Sequence, residues 1–162
     1  MVASLGYPTD VPPEDEALET VKAMTANATK PLAFLAHDDA IQIRIFEHLA
    51  DIAGGKSKLA DKPFALELMG PVSPLKLPGE LCLRLINCAR WGVPVVCYPA
   101  TFPGMSCPIT TAGAIAQSSA EALAGIIIHQ IAEPGSPIMS GSAILPMDMR
   151  QADLAYGAPE YL

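Results

Sequence analysis

The chain is poor in charge and in aromatic rings: only 17% of its 162 residues are charged and only 6% are Phe, Trp or Tyr. With 51% hydrophobic residues it can bury one substantial core, which excludes an intrinsically disordered protein and makes one compact domain the default. Lys and Arg are nowhere concentrated and the formal net charge is −7, so a phosphate backbone finds no basic stretch and nucleic acid is excluded as a partner. Long apolar runs are missing too. The longest, Ala122 to Ile128, is followed at once by His129, Gln130 and Glu133, far short of the ~20 residues of a membrane span. No basic region followed by an apolar stretch opens the chain, so no secretory signal is read. Cysteine is sparse, and Cys82, Cys88, Cys97 and Cys107 form neither a C-x-x-C pair nor a set with paired histidines. They read as reduced thiols of a cytoplasmic protein, with no disulfide framework and no metal site.

What is present is a repeating unit. Pro12-Pro13-Glu14-Asp15-Glu16 opens a helix over about 12–29, because proline suits a first helical turn and carboxylates favour the positive end of the helix dipole. Leu32 to Ala36 is a short continuous apolar run, the pattern of a strand covered on both faces. His37-Asp38-Asp39 then caps a helix whose apolar residues Ile41, Ile45, Phe46, Leu49 and Ile52 recur at helical spacing up to Gly54-Gly55. The pattern recurs as strand Phe64 to Met69 with helix Pro78 to Arg90, and as strand Val93 to Ala100 with helix Thr111 to Glu133. A fourth strand, Pro137 to Ala143, leads into a loop with a helix just starting by Leu162. Strand starts near 31, 64, 93 and 137 define four consecutive β-loop-α units, an α/β fold whose crossovers require a parallel sheet. Four such strands cannot close a barrel by themselves.

The loop Phe102 to Gly113 stands where parallel α/β proteins build their sites, between the third strand and the long helix. Gly104 permits unusual dihedrals or close backbone approach, Pro103 and Pro108 stiffen the path, and Ser106 and Thr110 can hydrogen-bond a ligand or the first N–H groups of the helix. Such a loop can hold a small ligand or simply turn a corner. Cys107 lacks a neighbouring histidine to serve as its base. Glu67, inside an apolar strand, must meet a polar interior, a cation or solvent at an edge, because isolated burial strongly disfavours its charge. His37 directly follows the first strand, whereas His48 and His129 fall within helices.

Five ordered blocks carry a resemblance: Gly70-Pro71-Val72-Ser73-Pro74-Leu75, Pro103 to Ala114, Ala120-Glu121-Ala122-Leu123-Ala124-Gly125, Pro134-Gly135-Ser136-Pro137, and Asp148-Met149-Arg150 with Tyr156-Gly157-Ala158-Pro159-Glu160. In order and spacing the chain resembles the trimethylamine methyltransferase superfamily, from about Pro31 to the last residue and more weakly through the preceding helix. The resemblance implies a (β/α)₈ barrel of which residues 1–162 form about half, as a single partial TIM-barrel domain. It also implies methyl transfer from trimethylamine, or alternatively glycine betaine, to the Co(I) corrinoid (cobalamin) of a separate corrinoid protein. The position that carries pyrrolysine in some relatives lies past Leu162.

Co(I) is itself a strong nucleophile, so such a site must orient a methyl carbon and accommodate the change of charge on nitrogen. Aromatic faces, carboxylates and oriented oxygens hold methylammonium groups. The candidates for substrate or corrinoid contact are His37, Glu67, Ser73, Gly104, Ser106, Thr110, Ser140, Gly141 and Asp148, with Tyr98 and Phe102 beside them; Ser73, Gly104, Ser106, Thr110, Gly141 and Asp148 fall within the family blocks or beside them. Each has a structural competitor: Ser73 shapes a Ser-Pro turn, Thr110 or Thr111 caps a helix, Asp148 caps or pairs with Arg150, and Tyr98 and Phe102 pack. Met105 to Cys107 depart from the smaller residues common in the family loop, which bears on substrate choice. A second class of function is a non-catalytic half-barrel that binds or assembles by association with itself, a homo-oligomer whose copies cover each other's exposed strand edges.

Overall fold

A computed structural model describes residues 1–3, 8–151 and 153–158. Pro12 and Pro13 stay outside the first helix: the Pro12 carbonyl accepts from Asp15 N in a turn, and α1 runs over Glu16–Asn27. It leads from β1 (Val2–Ala3), a strand absent from the sequence reading, to β2 (Leu32–Phe34). Then follow α2 (Asp39–Ala53), capped by Asp38 Oδ1 accepting from Ile41 N at 2.8 Å, the short α3 (Lys56–Asp61), β3 (Ala65–Met69), α4 (Gly79–Trp91) and β4 (Val95–Cys97). Gly54 ends α2 and Gly92 ends α4, both in the left-handed region that glycine enters without a Cβ penalty. The short α3 was not expected, since its six residues show no apolar repeat beyond Leu59.

The chain continues through β5 (Ala100–Thr101), α5 (Thr111–Ala132), β6 (Ile138–Ser140), β7 (Ala143–Ile144), β8 (Met147–Asp148) and β9 (Asp153–Leu154). The strands expected at 93–100 and 137–143 are therefore each broken in two. Pro99 cannot donate to a ladder, so β4 stops before it; β5 and β7 then pair in parallel as a second small sheet. The expected loop around Asp148 is an antiparallel hairpin of β8 with β9, while Pro159, Glu160 and the stretch to Leu162 lie outside the described residues.

The main sheet has five strands in the order β1-β2-β3-β4-β6, every neighbouring pair parallel, so each crossover steps on to the next position without reversal. Its register lines up Phe34, Glu67 and Val95 in one row and Met69, Cys97 and Ser140 in another. Since side chains alternate along a strand, these rows and the Leu32 and Ala65 pair point to one face, where they join Ile45, Phe46, Leu49, Leu81 and Leu85 in a single core. Phe46 is central there, edge-on to Phe34 at 6.4 Å between centroids and tilted against Trp91 at 5.6 Å. The alternate row, Leu66, Leu68, Val96 and Met139, is only partly covered.

Candidate functional site at the carboxyl rim of the sheet

Parallel strands bring all their carboxyl ends to one edge, and three loops gather there. The loop after β3 folds back on itself through mutual backbone bonds between Val72 and Lys76. Its anchor is Glu121 of α5, fully buried, which accepts from Ser73 Oγ at 2.6 Å and from the backbone N–H of Leu75 at 2.8 Å. Leu75 sits at φ +54°, a left-handed conformation that costs a non-glycine residue about 1–3 kcal/mol and persists only where its surroundings enforce it.

The loop after β4 is a compact turn on the Phe102 carbonyl, which accepts from Met105 N and Ser106 N, with Gly104 at φ +83°. Ser106 Oγ accepts from Phe102 N at 3.0 Å, and Thr110 caps α5 by accepting from Gly113 N at 3.3 Å. Gln117 ties this loop to the preceding one: its Nε2 donates to Ser106 O at 2.8 Å and to Glu121 Oε1 at 2.9 Å. Asp148, at the end of β8, accepts from the backbone N of Arg150 at 2.8 Å, and neighbouring Met149 lies near Gly104 beside a small cleft of about 150 Å³ between Pro103, Ile109 and Pro146. Residues 73, 106 and 148 thus share one rim.

Ser140, Gly141 and His37 lie at the carboxyl ends of β6 and β2 on the same edge, outside the bonded loops. Ser140 Oγ donates to Cys97 O at 2.6 Å, stitching β6 to β4, and Gly141 follows it, exposed, with open space where a side chain would be. His37 is exposed at the carboxyl end of β2, two places from β4 in the sheet. Glu67 belongs elsewhere: it faces the helix layer, where Arg84 Nη2 donates to it at 2.7 Å, Gln42 Nε2 donates to its other oxygen, and Cys88 Sγ lies at 3.3 Å. Burial pushes its carboxyl above the ordinary value of 4.5 in spite of Arg84. A ligand at the rim does not meet it, so of the alternatives read from the sequence the cation partner is the one realised.

Glu121 and Gln117 were missed as site residues. Their signal was available: at i and i+4 they share one face of a helix built mostly from Ala, Gly, Ser and Ile. A second feature was invisible in sequence. At the opposite, amino-terminal end of the strands, Lys30, Lys58, Lys62 and Asp61 line a cavity of about 700 Å³ together with Ile52 and Phe64.

Among the described residues, the polar side chains of the rim are largely engaged with one another and with the loop backbone, and Cys107 is a partly exposed free thiol in the loop after β4. The hydroxyls of Ser73, Ser106 and Ser140 are engaged within the protein, and Cys97 is a buried thiol pushed up to about 11 by desolvation. Burial likewise raises Cys88, with the Glu67 carboxylate adding to it. Around the rim large apolar side chains stand in solvent: Leu75 at 63% exposure, Met105 at 69%, Ile109 at 73% and Met149 at 63%. Tyr98, just past β4, is 36% exposed.

Parallel β-loop-α units whose loops are fastened to one another above the strand ends define an α/β protein of the class that builds its sites at the carboxyl edge of the sheet. The sequence model for trimethylamine methyltransferase (MTTB) matches residues 2–162, and the chain belongs to that family. It is 27% identical over 153 residues to trimethylamine methyltransferase MttB of Desulfitobacterium hafniense (strain DSM 10664 / DCB-2), covering 94% of this chain and 31% of that protein. Identity is 29% over 157 residues to glycine betaine methyltransferase of Desulfitobacterium hafniense (strain Y51), with 97% and 33% covered. With trimethylamine methyltransferase MttB of Methanosarcina thermophila it shares 34% over 107 residues, 66% of this chain and 22% of that one. The chain spans about a third or less of the length of these relatives.

Proposed function

We propose that this chain supplies part of the (β/α)₈ barrel of a corrinoid-dependent methyltransferase, and that its rim binds a methylated amine, trimethylamine or glycine betaine. What supports this reading is the coincidence of two independent facts: the family match runs over nearly the whole chain, and the loops bearing Ser73, Ser106 and Asp148 meet at one edge. The partner is a corrinoid protein, and the location is the cytoplasm, where four free thiols remain reduced. The rim fits a flat, largely apolar macrocycle presented by another protein, because Leu75, Met105, Ile109 and Met149 offer exposed apolar surface around it. When bound, a Co(I) corrinoid supplies the nucleophile that accepts the methyl group.

The chain's own residues supply orientation. The exposed ring of Tyr98 offers a face to a methylammonium, and the backbone carbonyls of the two fastened loops are oriented oxygens for its positive charge. Stiff loops hold the methyl carbon in line better than mobile ones, which is why the internal hydrogen bonding of Ser73 and Ser106 suits this chemistry. The test is consumption of Co(I) cobalamin, followed by its absorbance, with trimethylamine or glycine betaine as donor. Donor-dependent consumption by the chain, or by a polypeptide continuing it on both sides, is expected; none from either overturns the reading.

The self-associating half-barrel is favoured by one observation. Ile115, Leu123, Ile127 and Ile131 form an apolar stripe along α5, each at least 50% exposed. The stripe lies on the helix side of the sheet and the partly covered row of Leu66, Leu68, Val96 and Met139 on the other; both call for cover by further polypeptide, whether from the same chain or a second copy.

A further inference from the structure

We infer that Glu121 is a positioning residue that couples two rim loops into one unit, with Gln117 as the link; this rests on the methylated-amine reading only for its functional consequence. A buried carboxylate normally finds a cation, yet among the described residues Glu121 has no ion pair. Its oxygens are instead given to the loops. Oε2 accepts from Ser73 Oγ, and Oε1 accepts both from Leu75 N and from Gln117 Nε2. The same Gln117 nitrogen donates to Ser106 O, so a continuous path of hydrogen bonds runs from the loop after β3 to the loop after β4 through one side of α5. The backbone that Glu121 grips is the strained one: Leu75 at φ +54°. Holding Leu75 there directs its 63% exposed side chain outward at the rim, while Ser106 O fixes the turn that exposes Met105. An ordinary helix-to-loop contact needs no strained residue and no second loop.

The substitutions separate the parts of this device. Glu121→Gln keeps the shape, and the Ser73 hydroxyl can turn to accept from the new amide, so the fastening survives the loss of charge. Glu121→Ala removes all three acceptor contacts, whereas Gln117→Ala removes the donations to Ser106 O and Glu121 Oε1 and leaves the grip of Glu121 on Ser73 and Leu75. Hydrogen exchange by mass spectrometry on the 162-residue chain reads the result without any activity. We expect Glu121→Ala to speed exchange at least tenfold in both 70–78 and 102–110, Gln117→Ala to do so only in 102–110, and Glu121→Gln to stay within about threefold of wild type. Segments in α2 and β2 report whether a variant has lost its fold, in which case Gln117→Ala and Glu121→Gln still decide. Unchanged exchange in 102–110 on Gln117→Ala, or equal loss in Glu121→Gln and Glu121→Ala, overturns the coupling.

Donor turnover supplies the functional arm: Glu121→Ala is expected to lower kcat/KM by about 100-fold, the scale of a misplaced reacting group, with Glu121→Gln restoring it to within about fivefold. If wild type turns over no amine but the exchange pattern holds, the methyltransferase reading fails and the coupling stands. If turnover is unaffected by Glu121→Ala while both loops loosen, the loops' coupling does not position substrate and the functional consequence is rejected.

Discussion

At the scale of single residues, two buried ionisable groups make the molecule's stability depend on pH in opposite directions. His129 is fully buried, its Nε2 has no hydrogen-bond partner among the described residues, and desolvation pulls its pKa below 6.5. Its neutral form is therefore the one the fold accepts, so its contribution is complete above 6.5 and is lost as pH falls through the depressed folded value. Urea midpoints measured from pH 7.5 to 5 should fall for wild type and flatten in His129→Gln. Glu67 has the reverse sign. With its folded value raised above 4.5, its pH-linked contribution is fullest below 4.5 and declines as pH rises through that value, a decline absent from Glu67→Gln. At neutral pH, Glu67→Ala should cost about 3–5 kcal/mol in urea unfolding, because it strands the Arg84 guanidinium, whose side chain is only 12% exposed. At this scale the sequence announced that Glu67 needs company, but Gln42, Arg84 and Cys88 are far from it in the chain and nothing local could select them. Ser73, Ser106 and Asp148 were legible as rim residues because turn chemistry marks their loops. Their internal partners were not, since Glu121 lies 48 residues beyond Ser73 and meets it only across a helix crossover.

At the scale of elements, the long α5 succeeds by being small on the side that meets the sheet. A Cβ built on Gly125 would stand 2.5 Å from Cys97 Sγ, so the helix can approach β4 only without one. Gly125→Ala should cost about 1–3 kcal/mol, the usual price of overpacking, in urea unfolding. By length and composition α5 is the one helix among the described residues apolar enough to cross a membrane, with 28% of its most apolar window buried. Here it packs on α4 and the sheet, and carries buried Glu121 and His129. Thr110→Ala, which removes its cap, should cost about 1 kcal/mol by the same measurement. The helices α1, α2, α4 and α5 were readable because their apolar residues repeat at helical spacing between prolines and glycines. β1 was not, since Val2–Ala3 is too short to show a period and gains its identity from pairing with Leu32 and Ala33. The break after Cys97 was written in the chain as Pro99, whereas the one after Ser140 follows from which neighbour β6 and β7 each find, which an apolar run does not encode.

At the scale of the whole molecule, the two ends of the sheet differ in character. The carboxyl rim offers an aromatic edge, loop carbonyls and exposed apolar side chains, while Lys30, Lys58 and Lys62 ring the cavity at the amino-terminal end. With three lysines against Asp61, the second carries a net positive lining that disfavours an ammonium, and the proposed function places the methylated amine at the first. Most direct is therefore a titration of the isotopically labelled chain with trimethylamine or glycine betaine, read as amide chemical shifts residue by residue. The account predicts that the shifts concentrate in 70–76, 98–111 and 141–149. Shifts centred on the lysine-ringed cavity, or none at donor concentrations that saturate relatives of this family, would contradict it.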